Sequence, residues 1–304
     1  MRIGINGTGL VQRASVDAIV EDVRAAQADG FASYWLAEHP TGGLDALTVL
    51  TAAGLQVPGI ELGTAVVPTF PRHPMALAGQ ALTARAAIGD RLTLGIGLSH
   101  EVMMAQLDIP FDKPIRHLKE FLSTLVPLLD AGEVDYSGET LGAHARTFFG
   151  PGAHFPLVVA ALGPQALRVA GRMTDGTTLA WVGPRTIAEH IVPTISQAAA
   201  DAGRAAPRVI ATLPVCVTEA ADAVRARISE TLSMYAQLPS YAAMFEREGV
   251  SQPGELAIVG DATSVRAGIE RLEDAGVTDF AASIFATSRA EGEATRALLN
   301  ELVA

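Results

Sequence analysis

Cysteine is almost missing from this chain: Cys216 is the one thiol among 304 residues. An internal disulfide and a cysteine metal cluster are therefore excluded. Basic runs are missing as well. The 22 lysines and arginines face 33 acidic residues, for a formal net charge of −11, which argues against nucleic acid or an anionic membrane surface as the main partner. No apolar run is long enough to cross a bilayer, and the opening MRIGING reads as a strand rather than a charged leader with an apolar signal region. The expected compartment is the cytoplasm. There is no GxSxG, no P-loop and no GxGxxG, and Gly95-Ile96-Gly97 is only a fragment of such a motif. The first strand-like run, Ile3-Gly4-Ile5-Asn6, lacks the paired histidines of a metal-dependent hydrolase barrel, and no other cluster has metal-ligand spacing. Metal catalysis is not expected. Aromatics are scarce, at 5%, yet 49% of the residues are hydrophobic, so a large aliphatic core is available and wholesale disorder is excluded.

What is present is an alternation of strands and helices, clearest from Glu61 to Glu101. Two apolar runs, Leu62 to Val67 and Leu92 to Leu98, flank a segment from Pro74 to Ile88 with helical spacing. Both runs are apolar on successive residues, which suits a parallel sheet buried on both faces. The same alternation predicts strands at Arg2 to Asn6, Ser33 to Ala37, Leu157 to Ala161, Thr177 to Trp181, Val209 to Val217 and Asp279 to Phe285. Helices are predicted from Ser15 to about Ala28, Leu44 to Ala53, Glu101 to Leu107, Pro114 to Leu129, Gly163-Pro164 to Gly171, Thr186 to Ala202, Ala220 to Gln237, Tyr241 to Glu248 and Ala262 to Ala275. The run from Ala257 to Asp261 leads into the last of these. Eight strands in alternation with helices give an α/β fold, a (β/α)8 TIM barrel, read as one domain over 1–304 with insertions after strands four and seven. The first insertion, Gly132 to Pro156, has its most hairpin-like part at Asp135 to Gly138.

In such a barrel the active site lies at the C-terminal ends of the strands. His39 is the leading polar candidate, since an imidazole there can donate a hydrogen bond or exchange a proton near neutral pH; the ordinary alternative is a loop histidine. Glu38 could orient or charge it, although adjacent strand side chains point to opposite faces. Ser99, His100 and Glu101 offer a second polar group, with capping of the following helix as the alternative for Glu101. Arg72 and His73 read as a solvated turn or an interface contact, and His117, His144, His154 and His190 are given no catalytic role. Gly163-Pro164 begins a helix whose free N–H groups favour a phosphate. Gly183-Pro184 repeats the arrangement one unit later.

Seven stretches together carry a family likeness: WLAEH at 35–39, LGTAVVPTFPRHPMALAGQALT at 62–83, RLTLGIGLSHE at 91–101, HLKEFLSTLVPLLDAGEVDYSGE at 117–139, AALGPQALRVAG at 160–171, DGTTLAWVGP at 175–184 and VGDATSVRAGIERLEDAGVTDF at 259–280. In this order and spacing the chain resembles the luciferase-like superfamily of flavin and deazaflavin oxidoreductases, within it the coenzyme F420-dependent branch. The resemblance implies a cofactor lying across the strand ends and a non-proline cis peptide at Ala65-Val66 behind its ring. It also implies His39 near the reacting face and the cofactor phosphate at Gly163-Pro164, with Trp181 to Gly183 alongside. The implied cofactor-binding set is Glu38, His39, Ala65, Val66, Gly97, Ala161, Leu162, Gly163, Pro164, Trp181 and Gly183, and the implied proton-handling set is His39, His100 and Glu101. The implied reaction is hydride transfer between coenzyme F420 and a small organic substrate. The alternatives are an FMN-dependent monooxygenase and a barrel that binds a flavin or other ligand without turnover. Some sugar-phosphate-oxidising relatives carry an acid soon after the strand-four glycines and an aspartate before the histidine. This chain has Leu98-Ser99-His100-Glu101 and Glu38 there, so that substrate is not transferred. A homodimer through helices near strands two and three is expected, and the insertion and the helices around Tyr241 are expected to shape the substrate pocket.

Overall fold

The computed structural model describes residues 1–11 and 14–303. Eight parallel strands close a barrel: β1 (Arg2–Asn6), β2 (Ser33–Leu36), β3 (Glu61–Thr64), β4 (Leu92–Gly97), β5 (Leu157–Val159), β6 (Gly176–Ala180), β7 (Arg208–Thr212) and β8 (Asp279–Ile284). Each pairs with the next in chain order, and β8 returns to β1 with Arg2 opposite Asp279 and Ile5 opposite Ala282. β2 and β4 are buried on every residue, as expected where helices cover one face and the barrel interior the other. Several helices start where the sequence supplies caps. Ser15, Asp45 and Asp261 each accept a backbone N–H three residues on, and Ser288 with Glu291 forms a capping box.

The barrel is plugged from its N-terminal end. Arg208 donates to Asp279 at 2.7 Å and to Glu61 at 2.9 Å, and Thr93 donates to Glu61 at 2.7 Å. These acids begin β8 and β3, so the network closes the bottom of the interior. Above it Trp35 is fully buried against Val158, Ile210, Ala281 and Ala65. The interior is thus filled up to the level of Ala65, and only its C-terminal end is left for chemistry.

Several elements depart from the sequence expectations. The third strand breaks after Thr64 and resumes as Val67–Pro68, paired with Ile96 and Gly97. The seventh breaks at Leu213; Pro214–Val217 continues beside β8 and also pairs with a short strand, Ile258–Gly260, where a lead-in to a helix was expected. The run expected as one helix from Ala220 to Gln237 forms two, Ala221–Thr231 and Ser233–Gln237, followed by Pro239–Glu248. The helix expected from Thr186 starts at Pro184 and carries a π turn, Ile187–Ile191, before Val192–Asp201. Pro193, which has no N–H to donate, follows that turn. In the first insertion a full hairpin forms, Glu133–Ser137 against Gly142–Arg146. No helix among the described residues is long and apolar enough to cross a membrane.

Candidate active site

The site is assembled from the connections that follow the strands. The peptide bond Ala65–Val66 is cis, at the position the resemblance implies. Two glycines of β4 make room for that bulge. A Cβ at Gly95 would lie 1.9 Å from the Thr64 carbonyl oxygen, and one at Gly97 would lie 2.6 Å from Val66 Cγ2. Thr64 holds the edge from both sides, its hydroxyl donating to the Gly95 carbonyl and accepting the Gly95 N–H, each at 2.8 Å. The apolar spacing of 92–98 thus conceals a steric requirement for glycine.

Glu38 and His39 part company. The Glu38 carboxylate pairs with Arg72 and accepts the Ala46 N–H at 3.3 Å, while Arg72 reaches Asp45 at 2.6 Å. Glu38 therefore ties the second connection to the third and to the start of a helix. His39 is exposed at the rim, its Nδ1 3.0 Å from the Thr41 hydroxyl. Arg72, expected in a solvated turn or an interface, is instead the middle of this ionic bridge.

After β4, Ser99 adopts a left-handed backbone (φ +66°), as does Trp181 (φ +57°) after β6. Such geometry costs a non-glycine residue about 1–3 kcal/mol and persists only where the surroundings impose it. His100 follows, half-buried, and precedes the short helix Glu101–Ala105. Glu101 is exposed in that helix's first turn, favourably placed against the helix dipole.

The two glycine–proline turns differ in one decisive respect. Beyond Ala161 and Leu162, Gly163 is exposed, with nothing within 4 Å of the place its Cβ would take, and no side chain of its own caps the helix Pro164–Met173. His190 Nε2 lies 2.8 Å from the Leu162 carbonyl and so fixes the approach to this turn. At Gly183 the corresponding space holds the carboxylate of Glu248. It accepts the N–H groups of Arg185 and Thr186 at 3.2 and 2.7 Å and the Thr186 hydroxyl at 2.7 Å. The chain supplies its own anion there.

A fold of this kind recurs in known proteins. The profile of the luciferase-like monooxygenase family matches residues 3–279. The chain belongs to that family. It is 30% identical over 275 residues to an F420-dependent glucose-6-phosphate dehydrogenase of Beutenbergia cavernae, a match covering 86% of this chain and 80% of the relative. Its structure resembles the coenzyme F420-dependent tetrahydromethanopterin reductase of Methanopyrus kandleri, with a TM-score of 0.83 at 22% identity, over 99% of this chain and 97% of that one. It also resembles the oxygenating constituent of the 3,6-diketocamphane monooxygenase of Pseudomonas putida, solved with FMN, with a TM-score of 0.78 at 17% identity, over 100% and 98% of the two chains. The chain is an oxidoreductase of this family.

This luciferase-like enzyme places four rings across its mouth. Tyr241 lies 5.6 Å from His100 and 5.3 Å from Tyr235, whose ring is in turn 5.3 Å from Trp181. Burial pushes the His100 imidazole below its usual pKa and the Tyr241 and Tyr235 hydroxyls above theirs, so near neutral pH all three are uncharged. Sequence reading singled out the helices around Tyr241 but not Tyr235. A second aromatic group sits beside the third connection: His117 Nε2 is 3.2 Å from the Thr69 hydroxyl, and the Phe70 ring stacks on the imidazole at 4.0 Å. No catalytic role is expected of His117, and its contacts here are packing ones.

Proposed function

We propose that this protein is a coenzyme F420-dependent oxidoreductase acting on a small organic substrate. The reading rests on the open helix start at Gly163-Pro164, the only one of the two glycine–proline turns whose N–H groups are not already met by a carboxylate. The residues present suit a phosphate-bearing planar cofactor. An anion is favoured at that helix start, and the Ala65-Val66 bulge, with Gly97 behind it, offers an apolar ledge at the strand ends. When bound, coenzyme F420 exchanges a hydride with the substrate. The protein's part is orientation and proton handling. Val66 and Ala65 would support the ring, Gly163 with the following amides would hold the phosphate, and neutral His100 would accept the proton released when a substrate hydroxyl is oxidised, returning it as the imidazolium in the reverse direction. His39 is a second proton-handling candidate at the rim. Glu38, bound to Arg72, would position the connections rather than meet the cofactor, and Glu101 would serve the dipole of its helix.

The test is equilibrium binding of purified protein to F420 and to FMN, side by side, repeated on Gly163→Asp. Micromolar or tighter binding of F420, weakened at least tenfold by the added carboxylate, supports the proposal. Preference for FMN moves the reading to a monooxygenase, and binding of neither removes the cofactor assignment.

A further inference from the structure

The mouth described above is rich in uncharged rings, and the cations on three of its connections are paired within the chain. His100, Tyr241, Tyr235 and Trp181 form an unbroken chain from the end of β4 to the end of β6, each half-buried. Arg72, Lys113, Arg116 and Arg185, on the connections after β3, β4 and β6, are engaged elsewhere. Arg72 is held by Glu38 and Asp45, Lys113 and Arg116 by Glu139, and Arg185 by the Arg247 carbonyl. The second helix start at the mouth is filled by Glu248. With the Gly163 turn given to the cofactor, these four cations and the Gly183 helix start are thus all met within the chain.

We propose that the substrate is an uncharged ring compound bearing a carbonyl or hydroxyl group, stacked on Tyr235 and Tyr241, and that phosphorylated sugars are excluded. The proposal rests on the oxidoreductase reading of the same mouth. Planar rings gain from offset or edge-on contact with aromatic side chains beyond the area they bury. A phosphate dianion set among these rings would lose its water without gaining a cation, and the Glu248 carboxylate would repel it. Neutral His100 and the protonated tyrosine hydroxyls retain hydrogen-bonding capacity for a single carbonyl or hydroxyl oxygen. Both tyrosines come from the segment inserted after strand seven, so the specificity of this chain lies outside the barrel strands.

The experiment measures binding of acetophenone and of glucose 6-phosphate by saturation-transfer NMR and calorimetry, with and without F420, on the wild-type protein and on Tyr241→Ala, Tyr241→Leu, Tyr241→Phe and Tyr235→Ala. Acetophenone is expected to bind and glucose 6-phosphate not to. Tyr241→Ala and Tyr241→Leu are expected to weaken acetophenone at least tenfold, Tyr241→Phe less than threefold, with F420 affinity held within twofold. Tyr241→Leu keeps much of the volume without the ring, so it remains informative where alanine unfolds the segment. Tighter binding of glucose 6-phosphate, absence of acetophenone binding, or indifference of acetophenone to both tyrosines would overturn the proposal. Ring-dependent acetophenone binding by a protein that ignores F420 would uphold it and defeat the cofactor reading alone.

Discussion

Glu248 stands where a side chain at position 183 would stand: a Cβ built on Gly183 falls 2.2 Å from the Glu248 Cδ atom. The glycine and the carboxylate are therefore one device, in which the last residue of the helix Pro239–Glu248 is held on the first turn of the helix after β6. That helix carries Tyr241, so the device also fixes the rings over the mouth. Glu248→Gln keeps the shape but removes the charge, and with it about 1–2 kcal/mol of charge-assisted hydrogen bonding. Gly183→Ala is expected to be worse, because the methyl group displaces the carboxylate altogether. Amide hydrogen exchange over 239–248 should rise in both variants, more in Gly183→Ala, while exchange in β1 to β4 stays as in the parent. Unchanged exchange over 239–248 would mean that the helix is held by its apolar contacts alone.

Gly95 and Gly97 make a graded pair. The Gly95→Ala methyl group would meet a backbone carbonyl oxygen, which cannot turn aside, whereas the Gly97→Ala methyl group would meet a Val66 methyl group and, at 3.3 Å, the Ala160 Cβ. The first substitution is expected to cost about 3 kcal/mol or more, at or beyond the upper end of ordinary overpacking. The second should cost about 1–2 kcal/mol and move Val66. Denaturant melts rank the two, and a Gly97→Ala protein that folds with F420 affinity unaltered would detach Val66 from the cofactor.

The barrel was legible because its strands are continuous apolar runs punctuated by glycine and proline, a pattern set by local physics. The expectation at Ala65-Val66 came from the family likeness, and periodicity could not have found it, since the room the bulge needs lies on the neighbouring strand, at Gly95 and Gly97. The Glu38–Arg72 pair was illegible for a similar reason. Arg72 lies on the next connection, and only the closed barrel brings the two together. Tyr235 was missed because the segment around it has no strong period and breaks into short helices, and the Trp181 ring it meets belongs to a different connection. Nothing in the sequence distinguished the turn at Gly183 from the one at Gly163. The difference is the Glu248 carboxylate, which arrives from the segment inserted after strand seven.

His154 links pH to the entry of β5. Its ring lies 2.9 Å from Asp175 and 3.4 Å from Asp130, and the same two carboxylates accept the backbone N–H groups of Leu157 and Phe155. Partial burial works against protonation, but the Asp175 hydrogen bond and the two negative charges outweigh it and raise the pKa above the usual 6.5. A raised value means stability fully present below 6.5 and lost as pH climbs through the folded-state pKa. The ring is more than half exposed, so solvent screening limits the effect to well under 1 kcal/mol. In His154→Gln the small fall in stability from about pH 6 to pH 8 should disappear, and an NMR titration of His154 at or below 6.5 would refute the coupling.

Glu120 titrates in the opposite sense and anchors the inserted hairpin. From inside the helix Pro114–Asp130 its carboxylate accepts the N–H groups of Glu139, Thr140 and Leu141 at 3.0, 2.7 and 3.2 Å, and the Thr140 hydroxyl at 2.6 Å. Burial alone would raise its pKa, but these four donors favour the ionised form more strongly and hold it at about 2, against an ordinary 4.5. A lowered value means stability fully present above 4.5 and lost as pH falls toward 2. Glu120→Gln keeps the size and one acceptor oxygen but gives up the charge, so it should cost about 2 kcal/mol at neutral pH. The gap between parent and variant should shrink as the pH is lowered from 4.5, because protonation deprives the parent of the same interaction. Thermal melts of the two proteins from pH 7 down to pH 3 measure that gap, with amide exchange at 139–141 locating it. A gap that stays constant over this range would show that the hairpin is held by the shape of the side chain and not by its charge.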